Sequence, residues 1–223
     1  MLYFDEATHT YRLNNKMLKS VSSIVASQFK GFNPKAAAMG VAKSAGGNPE
    51  SPYFGMNADA IMKQWADTGK EARDQGTALH AQIEDYYRYG KQPFSETPEW
   101  KQFQQFVQDH PNWMCIGNEM RVHNQNVAGT IDAVFDTPNG VVLVDWKRTK
   151  AMDFSGYGMG KNHMKFAADC NYTKYSLQLS CYKALAPFEV AGCFIVQFHP
   201  NLEKYARYKA QDFGREAKIL IGS

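Results

Sequence analysis

The chain has 223 residues, 44% of them hydrophobic and 21% charged, with a formal net charge of +3. These values exclude an intrinsically disordered chain and suit one large globular domain, or one domain with a small accessory lobe, with a sizeable core. So small a net charge announces no polyanionic partner, which has to be read from local charge instead.

Other exclusions are local. No apolar run is long enough for a transmembrane helix. The first residues are acidic and lack the basic and apolar regions of a secretory signal, so an intracellular location is expected. Cys115, Cys170, Cys181 and Cys193 form no C-x-x-C pair. Reduced thiols are expected, with neither a zinc site nor an iron–sulfur cluster.

In chain order, short strands are expected at Tyr3-Phe4, Tyr11–Leu13 and Met17-Leu18, with a turn at Asn14-Asn15. Ser20 caps a helix over Val21–Gln28. Gly31–Phe54 is rich in Gly, Ala, Pro and Ser, with a helix expected over Pro34–Lys43 and a loop at Gly46–Pro49. It reads equally as a surface linker or a substrate-gated segment. A short helix over Asn57–Ala66 precedes a long one over Lys70–Tyr89, stopped by Gly90. On the long helix Gly76, His80, Glu84 and Tyr87 fall on one stripe. His80 there suits a satisfied core histidine or a metal ligand, and Glu84 a partner of His80 or a surface residue. Thr97-Pro98 starts a helix to about Gln108 that buries Trp100, Phe103 and Phe106. A strand over Met114–Val122 carries Glu119, expected to be structural.

Val127–Lys150 reads as a hairpin around Asn139-Gly140. With a two-residue loop, paired positions sum to 279, so Asp132 faces Lys147 and Val134 faces Asp145. Asp132, Asp145 and Lys147 then share one face, and Ile131, Ala133, Phe135, Val142, Val144 and Trp146 the other. Two carboxylates beside a lysine suit a divalent-cation site or a plain surface ion pair. Asp136 has the same parity but lies towards the turn and is left out of the set.

Residues 150–171 show no apolar periodicity, and structureless segments of that length are functional or disordered. Between Val144 and Phe166 five Lys/Arg stand against two Asp. Phe154, Tyr157 and Phe166 interleave with Lys150, Lys161, His163 and Lys165. That pattern suits phosphate contacts and base stacking, and equally a solvated loop. A helix over Tyr172–Ala186 sets Gln178 and Tyr182 four apart on one face. A strand over Gly192–His199, a short one near Tyr205–Lys209 and a helix from Asp212 to Leu220 complete the chain.

Four elements recur in a fixed order: Gly76-Thr77-x-x-His80 on a helix, Gly129-x-x-Asp132 and Asp145-x-Lys147 on strands, and Gln178-x-x-x-Tyr182 on a helix. Together they resemble the RecB-like branch of the PD-(D/E)xK nuclease superfamily, which includes lambda-type phage exonucleases and the mitochondrial genome-maintenance exonuclease. F-D-E-x-x-H-x-Y at Phe4–Tyr11 and S-V-S-S-I at Ser20–Ile24 resemble phage and viral members. The segment 150–171 is longer than the compact core of that family requires.

The resemblance implies an α/β fold with a restriction-endonuclease-like core, a mixed central sheet of four or five strands flanked by helices. It implies a single nuclease domain, with 1–56 an N-terminal accessory segment and 70–186 carrying the core. The implied activity is a Mg²⁺- or Mn²⁺-dependent deoxyribonuclease, an exonuclease more than an endonuclease, acting on DNA in replication, recombination or repair beside proteins of those processes. His80, Asp132, Asp145 and the Trp146 carbonyl would hold the metal. Lys147 would orient or deprotonate the attacking water, and Gln178 and Tyr182 would brace the site. Thr77, Arg148, Lys150, Lys161 and Lys165 would contact nucleic acid. The competing readings are an endonuclease on DNA or capped RNA, and a non-catalytic DNA-binding module.

Overall fold

Leu13 pairs with Lys16 across Asn14 and Asn15, which both take positive φ, 48° and 68°. Two left-handed residues are what a two-residue hairpin loop requires, and asparagine tolerates that region. The loop joins β2 (Thr10–Leu13) to β3 (Lys16–Ser20), and β1 (Leu2–Asp5) pairs antiparallel with β2. The computed structural model describes the whole chain except Glu6, Ala7, His9, Tyr157 and Ser223. The glutamate and histidine of the opening motif and the loop tyrosine therefore lie outside the described residues.

The remaining strands are β4 (Met114–His123), β5 (Val127–Asp136), β6 (Val142–Arg148), β7 (Gly192–Phe198) and β8 (Ala206–Lys209). Among the described residues they form one eight-stranded sheet in the order β1-β2-β3-β5-β6-β7-β8, with β4 on β5. The sheet is mixed, because β3–β5 and β6–β7 are parallel and the other pairs antiparallel. The fold is α/β. Four or five strands were expected; the short N-terminal strands pair with the main sheet at Lys19↔Val127 and Ser20↔Ala128.

The chain divides into two compact units, Met1–Lys30 with Leu79–Ser223, and Gly31–Ala78. The smaller unit holds α2 (Pro34–Ala45), capped by the Asn33 side chain on the Ala36 N–H. In it the Trp65 Nε1–H donates to the Tyr53 hydroxyl at 3.0 Å. The helix that follows, α3 (Ala58–Tyr89), is one element of 32 residues and not the two expected. A glycine such as Gly69 costs an exposed helix only about 1 kcal/mol. The pairs Lys63–Asp67 and Lys70–Asp74 on either side offset part of that.

In the larger unit, α1 (Val21–Ser27), α5 (Asn171–Leu185) and α6 (Gly214–Ile221) cover one face of the sheet. Val21, Ile24, Leu177, Tyr182 and Ala217 pack there with Val134, Leu143 and Ile195. Leu79 and Ile83 of α3 and the apolar stripe of α4 (Pro98–Asp109) cover the other. Trp100, Phe103 and Phe106 meet Ala133, Phe135, Val144, Trp146 and Phe198. Ser20 and Thr97 cap α1 and α4, as expected, through the N–H groups of Ser23 and Trp100. Among the described residues no helix is long and apolar enough to cross a membrane.

Two expectations for the hairpin are corrected. Ala133 pairs with Val144 and Phe135 with Val142, so paired positions sum to 277, not 279. The turn is Thr137–Gly140, closed by Gly140 N–H to the Thr137 carbonyl at 3.0 Å. Pro138 and Asn139 are its central residues, and only Gly140 takes positive φ, 99°. Proline fixes φ near −65° and favours this wider turn over a primed two-residue loop. The two-residue shift preserves parity, so the faces survive with one exception. Ile131 joins Val127 in the α1/α5 layer, as Val134 does, while Ala133 and Phe135 face α4. The alternation of β5 slips by one residue at Asp132.

The segment 150–171 is not structureless. Gly160 N–H bonds the Ala167 carbonyl and Asp169 N–H the Gly158 carbonyl, while Lys161 N–H reaches Gln28 on the larger unit's N-terminal stretch at 2.6 Å. Met164, on a single 3₁₀ turn at Asn162–Met164, is fully buried. The glycines permit this crowding: a Cβ at Gly156 would overlap the Asp169 carbonyl, and one at Gly160 that of Met164. These long-range contacts have no periodic signature, which is why the segment looked like open loop.

Candidate metal centre

The site forms where β5 and β6 part. Continuing the register would set Trp146 against Ile131, but the ladder stops at Ala133↔Val144. The Trp146 N–H donates instead to Asp132 Oδ2 at 2.8 Å, and the Trp146 carbonyl accepts from His80 Nε2 at 2.9 Å. Two side chains thus replace a strand at a buried backbone position, where unpaired groups are costly. His80 reaches this point from α3, whose neighbouring Leu79 and Ile83 anchor the helix on the α4 face.

With Nε2 committed to Trp146, His80 turns Nδ1 towards two carboxylates, Asp132 Oδ2 at 3.8 Å and Glu119 Oε1 at 3.9 Å. Burial pushes the imidazolium down, but Asp132 and then Glu119 outweigh it against the opposing charge of Lys147, and the His80 pKa rises to about 9. Ligand atoms of His80, Glu119 and Asp132 all lie within 4.8 Å of one another, near enough for one cation. Glu119 sits in β4 opposite Asp132, between the pairs Asn118↔Ala133 and Met120↔Ile131, with φ at 50°. Sequence reasoning assigned Glu119 no role here, because period-two counting cannot place a residue at a kink. Glu84, the other acid considered beside His80, is instead paired with Arg88 at 2.7 Å.

Asp145 lies on β6 with 1% of its surface exposed. Lys147 Nζ donates to its Oδ1 at 2.8 Å, and Oδ2 is buried with no partner among the described residues. Burial raises the Asp145 pKa to about 6 despite Lys147, and Asp132 adds to the rise. On Lys147 burial works the other way, but Asp145 and Asp132 outweigh it and hold the ammonium protonated. Lys147 also lies 4.9 Å from the centre of the Tyr175 ring, a cation–π contact the sequence did not suggest. Gln178 donates to the Tyr182 hydroxyl at 3.0 Å, so these two brace each other on α5.

Gly129 explains itself at this point. A Cβ there would sit 2.5 Å from Tyr182 Cε1 and 3.1 Å from Val21 Cγ2. Gly129→Ala is expected to destabilise the chain by about 1–3 kcal/mol through overpacking. Urea unfolding of the two proteins measures this, and an unchanged midpoint would show that α5 yields freely.

The residues assigned to nucleic acid lie on different elements. Arg148 Nε–H donates to Glu99 on α4 at 2.7 Å, and both side chains are about nine-tenths buried. Its visible role is that ion pair. Lys150, Lys161 and Lys165 are exposed on the 150–171 segment, and Thr77 is exposed on α3 in the smaller unit. Lys165 shares a surface depression with His163, Phe166 and Arg215. Phe154 packs on Tyr172 with ring centres 4.7 Å apart, and Phe166 on Phe213 at 6.2 Å. All four cysteines are free thiols.

No family model matches the chain, and no curated protein does. Among solved structures the chain is similar to "Crystal structure of SSO0001", with 12% identity over 95% of this chain and 78% of that one and a TM-score of 0.40. At that score the likeness carries no argument about fold or activity.

Proposed function

We propose that the chain is a metal-dependent nuclease of the restriction-endonuclease-like class that hydrolyses DNA phosphodiester bonds, an exonuclease by its resemblance. The observation that carries this reading is the gathering of His80, Asp132, Asp145 and Lys147 at the β5/β6 fork, from residues far apart in the chain. The donor set fits a hard divalent cation: carboxylate oxygens, one carbonyl and one imidazole. The orphaned Asp145 Oδ2 fits too, because a buried carboxylate oxygen without a partner needs a proton or a cation. His80, Asp132, Asp145 and the Trp146 carbonyl, through its second lone pair, would hold Mg²⁺ or Mn²⁺.

When bound, such a cation lowers the pKa of a coordinated water and neutralises charge on a phosphate oxygen. Lys147, kept protonated by the two carboxylates, serves as a fixed positive charge and a donor to the phosphate or the attacking water, not as a base. Tyr182, braced by Gln178, packs α5 against β5 at Gly129 and would fix the wall of the site. Water adds at phosphorus and one P–O bond breaks, leaving a phosphomonoester and a hydroxyl end. Lys150, Lys161 and Lys165 would meet the DNA backbone.

Purified protein with Mn²⁺ should degrade linear duplex or single-stranded DNA and stop on chelation. Sparing of covalently closed circles would support exonuclease action, and cutting them would make it an endonuclease. Preference for capped RNA would favour the RNA reading. No hydrolysis of any of these, with DNA still bound, would leave the binding module.

A further inference from the structure

The cation reading takes its acidic ligands from β5 and β6, yet three side chains with ligand atoms all within 4.8 Å of one another come from α3, β4 and β5. We infer that Glu119 is a further metal ligand, completing with His80 Nδ1 and Asp132 a cation seat beside Asp145. The inference rests on the cation reading above and names a residue that its motifs do not contain.

Three observations support it. Glu119 Oε1 lies 3.9 Å from His80 Nδ1, too far for a good hydrogen bond and close enough for both to reach one ion between them. A non-glycine residue at φ 50° inside a strand is uncommon, and here it falls opposite Asp132, where β5 also changes its alternation. The kink therefore brings the Glu119 carboxylate to the residue that holds the fork. Independently, Asp145 Oδ2 is buried and unpaired on the residue before Trp146, whose N–H bonds Asp132 and whose carbonyl bonds His80. A pair of carboxylates beside a third with an empty lone-pair site is a poor arrangement for a cation-free core and a good one around a divalent ion.

The chemistry specifies the ion. One nitrogen and three carboxylates suit Mn²⁺ at least as well as Mg²⁺, because imidazole shifts preference towards the transition metal. A merely structural Glu119 would serve as a charge partner that orients His80, and would not touch the ion.

The test uses the full chain and Mn²⁺ alone. Titration calorimetry on wild type, Glu119→Gln and Glu119→Asn should show Mn²⁺ binding weakened about 10-fold or more in both variants, since even residues behind the ligands cost that much. Asparagine is included because it tolerates positive φ. Wild-type protein carrying ¹³C-carboxyl glutamate should show Mn–¹³C hyperfine coupling, which needs no variant to fold and which a charge partner would not give. Absence of that coupling, or wild-type affinity in either folded variant, would overturn the Glu119 assignment and leave the nuclease reading standing. If the wild type itself binds no Mn²⁺, both fall.

Discussion

Asp145→Ala and Lys147→Ala are each expected to lower DNA hydrolysis by about 10²–10³-fold, the usual cost of removing one preorganised charge. They should differ in stability. Lys147→Ala leaves a carboxyl with 1% exposure and no donor. Removing one partner of a buried pair costs about 3–5 kcal/mol when the other stays charged. That carboxyl already titrates near pH 6, so it will take up a proton and the measured cost should be smaller at pH 6 than at pH 8. Asp145→Ala leaves Lys147 19% exposed and against the Tyr175 ring, which spares it most of that penalty. Single-turnover hydrolysis and urea unfolding at both pH values separate the two effects. Robust hydrolysis by Asp145→Ala would remove β6 from the mechanism.

The second large effect concerns the metal-free chain. His80 titrates near 9 in the fold and near 6.5 unfolded. A raised pKa means stability that is fully present below pH 6.5 and lost as pH climbs through 9, on the order of 3 kcal/mol at most, before screening at a ring 30% exposed. Asp145 carries the same sign lower down, since its carboxyl is raised to about 6 and its contribution fades as pH rises through that value. In chelator, unfolding midpoints should therefore fall from pH 5 to pH 9. His80→Gln should flatten the upper part of that slope. Midpoints that rise with pH would contradict the electrostatics described at the fork.

Much of this was legible in the chain because the signals were local. The caps at Ser20 and Thr97, the turn at Asn14-Asn15 and the faces of β6 follow from side chains and their immediate neighbours. The meeting of His80 with the hairpin is not local, and was expected only from the resemblance carried by the order of motifs. What escaped depended on backbone geometry that no residue type announces. Pro138 widened the turn and moved the register by two, and the kink at Glu119 brought an unassigned acid to the site. The bonds that fold 150–171 connect it to Gln28 and to itself, so no window of sequence contains their cause. The buried Arg148–Glu99 pair was missed likewise, since a basic residue beside the Asp145-x-Lys147 motif reads as a phosphate contact until its partner is seen.

The Asp132–Trp146 bond has a consequence for how the site is made ready. Because Asp132 Oδ2 satisfies a main-chain donor of the neighbouring strand, its position is set when the sheet forms and does not wait for an ion. The entropy of ordering that oxygen is borne by folding, so the proposed cation would find a preorganised ligand and lose little affinity to rearrangement. The same bond ties two roles to one carboxylate. Asparagine at 132 would keep an oxygen for Trp146 while discarding the charge, whereas alanine would strand a buried N–H as well. Only the first of these substitutions removes the charge without stranding that N–H.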